Sequence, residues 1–316
     1  MATQTWEFDA PTGAYKDHKI SSKVFKAAIA QTKVMQFVPD VEGGFGENMG
    51  ESVALIRAAN IASPTSAVLE ETLEIPEDPF SISTSSITLQ EIGRKVVWTR
   101  RASQRAPFDM PEVVVDKLRD QLSLELDRLA IAAFTGAQIK AIPDGEASLT
   151  FDTDGTASTA ATVNLNYFHV EQLRDYLFST IHSPTFEGDE FFGLVSTKGL
   201  RGLKQDPKFE VWNRYTTPEN KANGEVGKIE GIRFIEINNT NVLSATLGTG
   251  SVLGEGVFFG RDAVRMAAAV PPEIFREIPT DGGRRNVAGW YGDIGFGEVF
   301  PTSNDGEARI LHLTSS

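Results

Sequence analysis

One long amphipathic helix, predicted over residues 109–136, constrains the fold more than any other feature of the sequence. Asp109 is placed to cap it, Pro111 falls in its first turn, Glu112 completes a capping box, and Gly136 closes it. The helix is about 25 residues long, or roughly 37 Å at 1.5 Å per residue. Its apolar positions recur at spacings of three and four: Val115, Leu118, Leu122, Leu126, Leu129 and Ala133. Its polar face is predicted to carry Lys117, Arg119, Asp120, Glu125, Asp127 and Arg128. Such a helix is expected to lie across a sheet.

The chain ahead of this helix predicts an arm, a joint and two strand regions. Residues up to Asp17 lack periodicity and predict an extended arm, and a helix is predicted from Ser22 to about Met35. Four glycines within residues 43–50 predict a flexible joint. The runs SVALIRAANI and SSITLQEIGRKVVWTRR are rich in β-branched residues and predict strands. The segment between them has three prolines and little apolar mass, so it is either a flexible surface hairpin or a loop with a purpose.

The second half of the chain alternates helices and strands after a Gly-, Ser- and Thr-rich crossing at residues 143–165. This alternation predicts a mixed sheet flanked by helices, in a chain whose 316 residues favour two domains. A helix-like apolar run is predicted at Asp262–Val270. From about Glu273 strands return, and the last of them, EARILHL, is expected to rejoin the sheet under the long helix. The other predicted elements are helix Asn166–Ile181, strand Phe191–Val195, helix Lys198–Gln205, strand Ile232–Asn238 and strand Gly256–Phe259.

Charge and composition exclude several classes of protein. The formal net charge of −13 argues against a protein that coats nucleic acid, because such binding needs clustered cations. We expect no tight binding of DNA, since the longest basic runs are Arg100–Arg101 and Arg284–Arg285. The chain has no cysteine, which rules out disulfides and zinc–thiolate sites. No signal peptide and no membrane-spanning apolar stretch are predicted.

Several fragments imitate catalytic or binding motifs without completing them. GEVGKIEG at 224–231 resembles a phosphate loop, but Ala222 replaces its first glycine and Ile229 stands where a hydroxyl would reach magnesium. DTDG at 152–155 resembles part of a calcium loop, but Thr150 and Ala161 occupy the first and last ligand positions. No two of the four histidines have metal-binding helical spacing. The sequence therefore predicts no catalytic, cofactor-binding or metal-binding residues, and no enzyme.

Four segments, in order, carry a resemblance to a known family. They are ITLQEIGRKVVWTRRAS, NGEVGKIEGIRFIEINNT, VFFGRDAVRMAA and NVAGWYGDIGFGEV. Together with the order of elements, they resemble the tailed-bacteriophage major capsid proteins of the Hong Kong 97-like (Johnson) fold, in the N4-like branch. The resemblance runs from about residue 20 to residue 312.

The resemblance implies an α+β chain with four parts. These are an N-terminal arm and hinge (1–49), an extended β-hairpin loop (50–86), a peripheral domain with a spine helix on an antiparallel sheet (87–164 and 273–316), and an inserted axial α/β domain (165–272). The poor apolar content of the loop then has an explanation, because its partner lies on another chain.

The function implied is that of a shell subunit, forming pentamers and hexamers around the double-stranded DNA of a phage head. Scaffolding, portal and decoration proteins are further expected partners, with assembly in the bacterial cytoplasm and residence in the virion. Two alternatives stay open at this point: an encapsulin-like compartment that holds a protein cargo, and a soluble hydrolase or binding protein with an unrecognised site.

Overall fold

The computed structural model describes residues 29–30, 32–41, 50–58, 61, 68, 71, 74–75, 77–78, 80–208, 227–279, 281–301 and 308–316. The predicted arm, the first part of the helix predicted from Ser22 and most of the glycine-rich joint lie outside these residues. Residues 29–30 and 32–34 are described and are not helical, and a short 3-10 turn follows at Met35–Phe37. The prediction of a helix reaching Met35 is wrong here. The N–H groups of Lys33 and Val34 donate to the Asp127 carboxylate instead of to carbonyls one turn back.

The described residues form four α-helices and twelve strands, arranged in three sheets. A two-stranded ribbon has the order β1-β2, a second sheet the order β10-β11-β3, and a third the order β5-β4-β12-β9-β6-β8-β7. The helices are α1 (Arg100–Arg105), α2 (Met110–Thr135), α3 (Tyr167–Asp175) and α4 (Thr197–Gln205). The strands are β1 (Ser52–Ala58), β2 (Ile82–Thr88), β3 (Gln90–Thr99), β4 (Lys140–Gly145), β5 (Ser148–Asp152), β6 (Phe191–Ser196), β7 (Lys228–Ile229), β8 (Ile232–Ile237), β9 (Gly256–Phe259), β10 (Val264–Arg276), β11 (Arg285–Glu298) and β12 (Ile310–Leu313).

Helix α2 is the long helix that the sequence predicts. The Asp109 carboxylate accepts the N–H of Glu112 at 3.4 Å, and Gly136 follows the last helical residue. Leu118 of α2 is buried against Ala288 and Trp290 of β11, with Leu122 packed on the same cluster. The helix therefore lies across the three-stranded antiparallel sheet, as expected.

Strand β10 corrects the helix-like run predicted at Asp262–Val270. The segment from Val264 onward is a strand, antiparallel to β11 along most of its length. On its other edge the Met266 N–H donates to the Pro39 carbonyl at 3.0 Å, and the Met266 carbonyl accepts the Val41 N–H at 2.9 Å. Alanine has the highest intrinsic helix propensity, but propensity is a weak guide, and hydrogen-bonding partners on both edges of this segment override it.

The seven-stranded sheet has a hydrophobic cluster on each of its two faces. One cluster contains Leu173 of α3 and Leu200 of α4, and the other contains Phe134 at the end of α2. Helix α2 thus packs on the three-stranded sheet near its beginning and on the seven-stranded sheet near its end. Both predicted flanking helices are confirmed, with α3 continuing as a π-helical turn at Tyr176–Thr180.

Strand β12 corrects the expectation that EARILHL rejoins the sheet under the long helix. It lies inside the seven-stranded sheet, parallel to β4 and antiparallel to β9. All four of its residues are buried, with Ile310 in one cluster and Leu311 and Leu313 in the other. A strand that is apolar on both faces needs cover on both sides, which a central position in this sheet provides.

The architecture is of the α+β class, with helices packed on mixed and antiparallel sheets. Strands β4, β5 and β12 come from ranges predicted as peripheral, yet they pair in the sheet of the predicted axial range. Most of β10 comes from the predicted axial range, yet it pairs with β11. The division into peripheral and axial domains stays a prediction.

Candidate assembly surfaces

Strands β1 and β2 form a two-stranded ribbon of their own, separate from the other two sheets. Its register runs from Ser52 opposite Thr88 to Ala58 opposite Ile82. Side chains alternate between the two faces of a strand. On one face Val53, Leu55 and Ile87 pack around Ala267 of β10. This face attaches the ribbon to the body of the chain.

The opposite face of the ribbon is exposed and carries two isoleucines. Ile56 is 77% exposed and Ile82 is 62% exposed. Ile82 lies opposite Ala58, two residues along β1 from Ile56, so the two side chains are diagonal neighbours on one face. A two-stranded ribbon is at best marginally stable in water, and it gains from any surface that covers its free face.

The chain between β1 and β2 buries none of its described residues. Each described position from 61 to 81 is exposed, and among them are four large apolar side chains. They are Ile61, Val68, Ile75 and Phe80. A contiguous patch of exposed apolar side chains commonly marks a surface that binds another molecule.

Two glycines of β11 let the base of the ribbon approach the three-stranded sheet closely. A Cβ atom at Gly295 would lie 2.4 Å from the Thr88 carbonyl oxygen, and one at Gly297 would lie 2.7 Å from the Ile87 side chain. The Ser85 hydroxyl donates to the Val299 carbonyl at 3.1 Å. The ribbon is thus fixed at its base, while its outer face and the described part of its loop remain exposed.

Asp127 of α2 holds the segment that follows the predicted arm. The prediction that Asp127 lies on the polar face of the helix is wrong, because it is only 3% exposed. Its carboxylate accepts the N–H of Lys33 at 2.8 Å and that of Val34 at 3.3 Å. Burial raises the pKa of Asp127, and the donated hydrogen bonds oppose this rise. The contact fixes the path of residues 33–41 across the helix and toward β10.

A buried polar junction joins the end of α2 to the seven-stranded sheet. Lys140 Nζ donates to the Thr135 carbonyl at 2.8 Å and lies 3.1 Å from His312 Nδ1. His312 Nε2 lies 2.7 Å from Glu255 Oε1. A neutral His312 that donates from Nε2 to the Glu255 carboxylate and accepts at Nδ1 satisfies all three groups.

Burial governs the protonation of this junction. It lowers the pKa of His312 and the pKa of Lys140, since each would carry its charge away from water. It also raises the pKa of nearby Glu298 to about 7, against the opposing effect of the Lys140 charge. The arrangement is a closed hydrogen-bonded network. The sequence does contain a signal for it, since Lys140 and His312 each interrupt a buried apolar run.

Where the structure describes them, the residues of the incomplete motifs lie in a core strand and in a turn. Ile229 of the phosphate-loop-like fragment is a core residue in β7, and the fragment up to residue 226 lies outside the described residues. Asp154 of the calcium-loop-like fragment accepts the N–H of Thr156 at 2.9 Å in a turn. Within the described part of the chain, no group of three or more His, Asp or Glu side chains is placed to hold a metal ion. No helix among the same residues is both long and apolar enough to cross a membrane.

Comparison with known proteins finds similarity at the level of structure. No protein-family model matches the sequence, and no curated protein matches it either. The fold is similar to the head structure of Helicobacter pylori bacteriophage KHP40, with 11% identity, a TM-score of 0.74 and all of both chains covered. It is also similar to the capsid of Ralstonia phage GP4, with 16% identity, a TM-score of 0.66, and 100% and 99% of the two chains covered.

The capsid asymmetric unit of cyanophage Pam1 is a third such structure, with 15% identity, a TM-score of 0.67, and 97% and 98% of the two chains covered. The chain therefore has the phage capsid fold, as the resemblance predicts. The narrower resemblance to the N4-like branch stays a prediction.

Proposed function

We propose that this chain is the major capsid protein of a tailed bacteriophage, a structural subunit that assembles into pentamers and hexamers around double-stranded DNA. The observation that carries the proposal is the similarity of fold to phage head and capsid structures over the full length of both chains. The exposed face of the β1–β2 ribbon supports it independently, because Ile56 and Ile82 offer an apolar surface to a second copy.

The fold suggests how the parts of the subunit divide the work of assembly. We assign residues 1–49 to an arm, 50–86 to the extended loop, the three-stranded sheet with α2 to the peripheral domain, and the seven-stranded sheet with α3 and α4 to the axial domain. On this assignment β4, β5 and β12 belong with the axial domain and β10 with the peripheral one, following the strand pairing.

Net charge supports confinement of the genome without specific binding. A chain with a net charge of −13 repels a duplex as a whole, so packaged DNA is held by the closed shell and by counterions. Scaffolding, portal and decoration proteins are the further partners of such a shell, which forms in the bacterial cytoplasm and becomes part of the virion.

Substitution on the outer face of the ribbon tests the proposal. The double variant Ile56→Lys, Ile82→Lys places two charges on a face that is already exposed, so the isolated subunit keeps its thermal melting curve and circular dichroism spectrum. Assembly is lost, because a charge buried without a partner opposes the contact between copies. The conservative pair Ile56→Val, Ile82→Val keeps the apolar face and assembles. Normal shells from the lysine variant would contradict the proposed role of this face.

A further inference from the structure

Five exposed arginines come together at one end of the three-stranded sheet. Arg100, Arg101 and Arg105 lie on α1, while Arg285 begins β11 and Arg284 directly precedes it. The Arg100 N–H donates to the Arg284 carbonyl at 2.8 Å, and Arg285 lies opposite Thr99 in the pairing of β11 with β3. Two basic runs that are distant in sequence thus form one surface, named here the arginine patch.

The arginine patch has little compensating charge of its own. Among the residues that the structure describes, its one ion pair joins Arg284 to Asp281 at 3.9 Å, between side chains that are 82% and 58% exposed. Like charges on one surface repel one another, and an acidic surface placed over them would relieve that repulsion. A concentrated cationic patch on a chain of net charge −13 therefore indicates a negatively charged partner.

The loop between β1 and β2 offers the complementary charge. Five carboxylates fall within residues 70–78, and no Lys or Arg occurs between Arg57 and Arg94. The described acidic residues of this segment, Glu71, Glu74, Glu77 and Asp78, are all exposed. The number of carboxylates in the loop matches the number of guanidinium groups in the patch.

We infer that the arginine patch of one copy binds the acidic loop segment (residues 70–78) of a second copy of this chain. This inference rests on the proposed function and adds to it the partner surface for the loop. Because patch and loop are two different surfaces, the contact is heterologous, and contacts of that kind close into rings when the rotation allows. Arginine suits the role, since its planar fork binds carboxylates in two-point geometry.

Duplex DNA is the other polyanion that such a patch could attract, and the charge distribution favours a second copy over it. A duplex extends far beyond the patch and would meet the negative charge of the remaining surface. The acidic segment is short and matches the patch in charge. Complementary patches of this size also steer two copies into one relative orientation.

Charge reversal and charge exchange test the inference on the full-length protein. The patch variant is Arg101→Glu, Arg285→Glu, and the loop variant is Glu74→Arg, Glu77→Arg. The exchange variant combines all four changes. Matched controls are Arg101→Lys, Arg285→Lys, which keeps the charge, and Arg201→Glu, which reverses an exposed arginine on α4. Particle yield is measured by sedimentation and electron microscopy, and subunit folding by thermal melting.

Both reversal variants are expected to stay folded and to lose at least about tenfold in particle yield, because like charges then face each other across the contact. The exchange variant regains assembly, and Arg201→Glu assembles like the parent. The lysine control keeps the charge but loses the two-point geometry, so it assembles far better than the patch variant and no better than the parent. Raising the salt concentration weakens assembly of the parent and of the exchange variant alike.

Three outcomes would overturn the inference while leaving the proposed function intact. The first is normal shells from the patch variant, and the second is loss of assembly that charge exchange does not restore. The third is tight duplex binding by the parent that the patch variant loses while its shells form normally. Failure of the parent itself to assemble under any condition would instead overturn the proposed function.

Discussion

Asp127 shows how a single carboxylate can fix the path of a distant segment. Its two oxygens take the N–H groups of Lys33 and Val34, which would otherwise be buried beside the helix without acceptors. A buried donor left without a partner costs about 1–3 kcal/mol. Asp127→Ala is therefore expected to lower the free energy of unfolding of the unassembled subunit by about that amount, measured by chemical denaturation.

Asp120 provides the matched control for this substitution. It lies on the same helix, half-exposed, and pairs with Lys117 at 2.8 Å. Exposed ion pairs of this kind contribute about 0–1 kcal/mol, so Asp120→Ala is expected to change stability little. Equal effects of the two substitutions would contradict the anchoring role given to Asp127.

His169 gives the subunit a predictable dependence of stability on pH. It is fully buried, and its Nε2 lies 2.8 Å from the Gly145 carbonyl while its Nδ1 accepts the Asn166 N–H at 3.3 Å. The ring is therefore neutral, and burial lowers its pKa below the ordinary value of 6.5. The unfolded chain takes up this proton at a higher pH than the folded chain does. Stability from this residue is complete above about pH 6.5 and is lost as the pH falls below it.

The substitution His169→Asn tests this dependence against His182→Asn, which changes an exposed histidine. Free energies of unfolding are compared with those of the parent between pH 5 and pH 8. The destabilisation caused by His169→Asn is expected to shrink as the pH falls, because the parent then loses the free energy of unfolding that the neutral His169 ring contributes. A constant difference for His169→Asn would show that the buried ring stays easy to protonate.

Helix α2 is the element on which both larger sheets depend. Leu118, only 1% exposed, packs on the three-stranded sheet, and Phe134 packs on the seven-stranded one. Leu118→Ala is expected to lower the free energy of unfolding by about 2–5 kcal/mol through lost transfer energy and a residual cavity. Leu122 is half-buried in the same cluster, so Leu122→Ala should cost less. Denaturant titrations of the two variants check this order, and a reversed order would contradict the packing described.

The elements that the sequence predicts well are those with complete local signals. The cap at Asp109 and the closing glycine at Gly136 define α2 without reference to the rest of the chain. The short apolar run at 256–259 likewise predicts β9 with its observed bounds. Local pattern suffices here because the chemistry that begins or ends the element lies within a few residues of it.

Other elements depend on partners that are distant in the sequence, and for these the local pattern misleads. The alanines of β10 favour a helix until residues 39–41 and β11 supply strand partners. In the sequence, Asp127 looks like the other charged residues of α2, because its hydrogen-bonding partner, the Lys33 N–H, is distant along the chain. Strand β12 joins the sheet that can cover both of its faces, which only the folded chain defines.

The part of the molecule that the structure describes combines a continuous folded body with surfaces that stay exposed on it. Helix α2 ties two sheets into that body, while the outer face of the ribbon and the arginine patch are both exposed. One surface is apolar and the other is cationic, so the two differ in how they should respond to salt. Contacts through the ribbon should persist at high salt, whereas contacts through the patch should weaken.

The mass of the purified full-length protein, measured by analytical ultracentrifugation with electron microscopy of the same sample, tests the central claim most directly. A capsid subunit is expected to form hollow particles in the megadalton range, with pentamers and hexamers visible in the shell. A protein that stays a monomer or small oligomer at every concentration and salt condition, while remaining folded, would contradict the account.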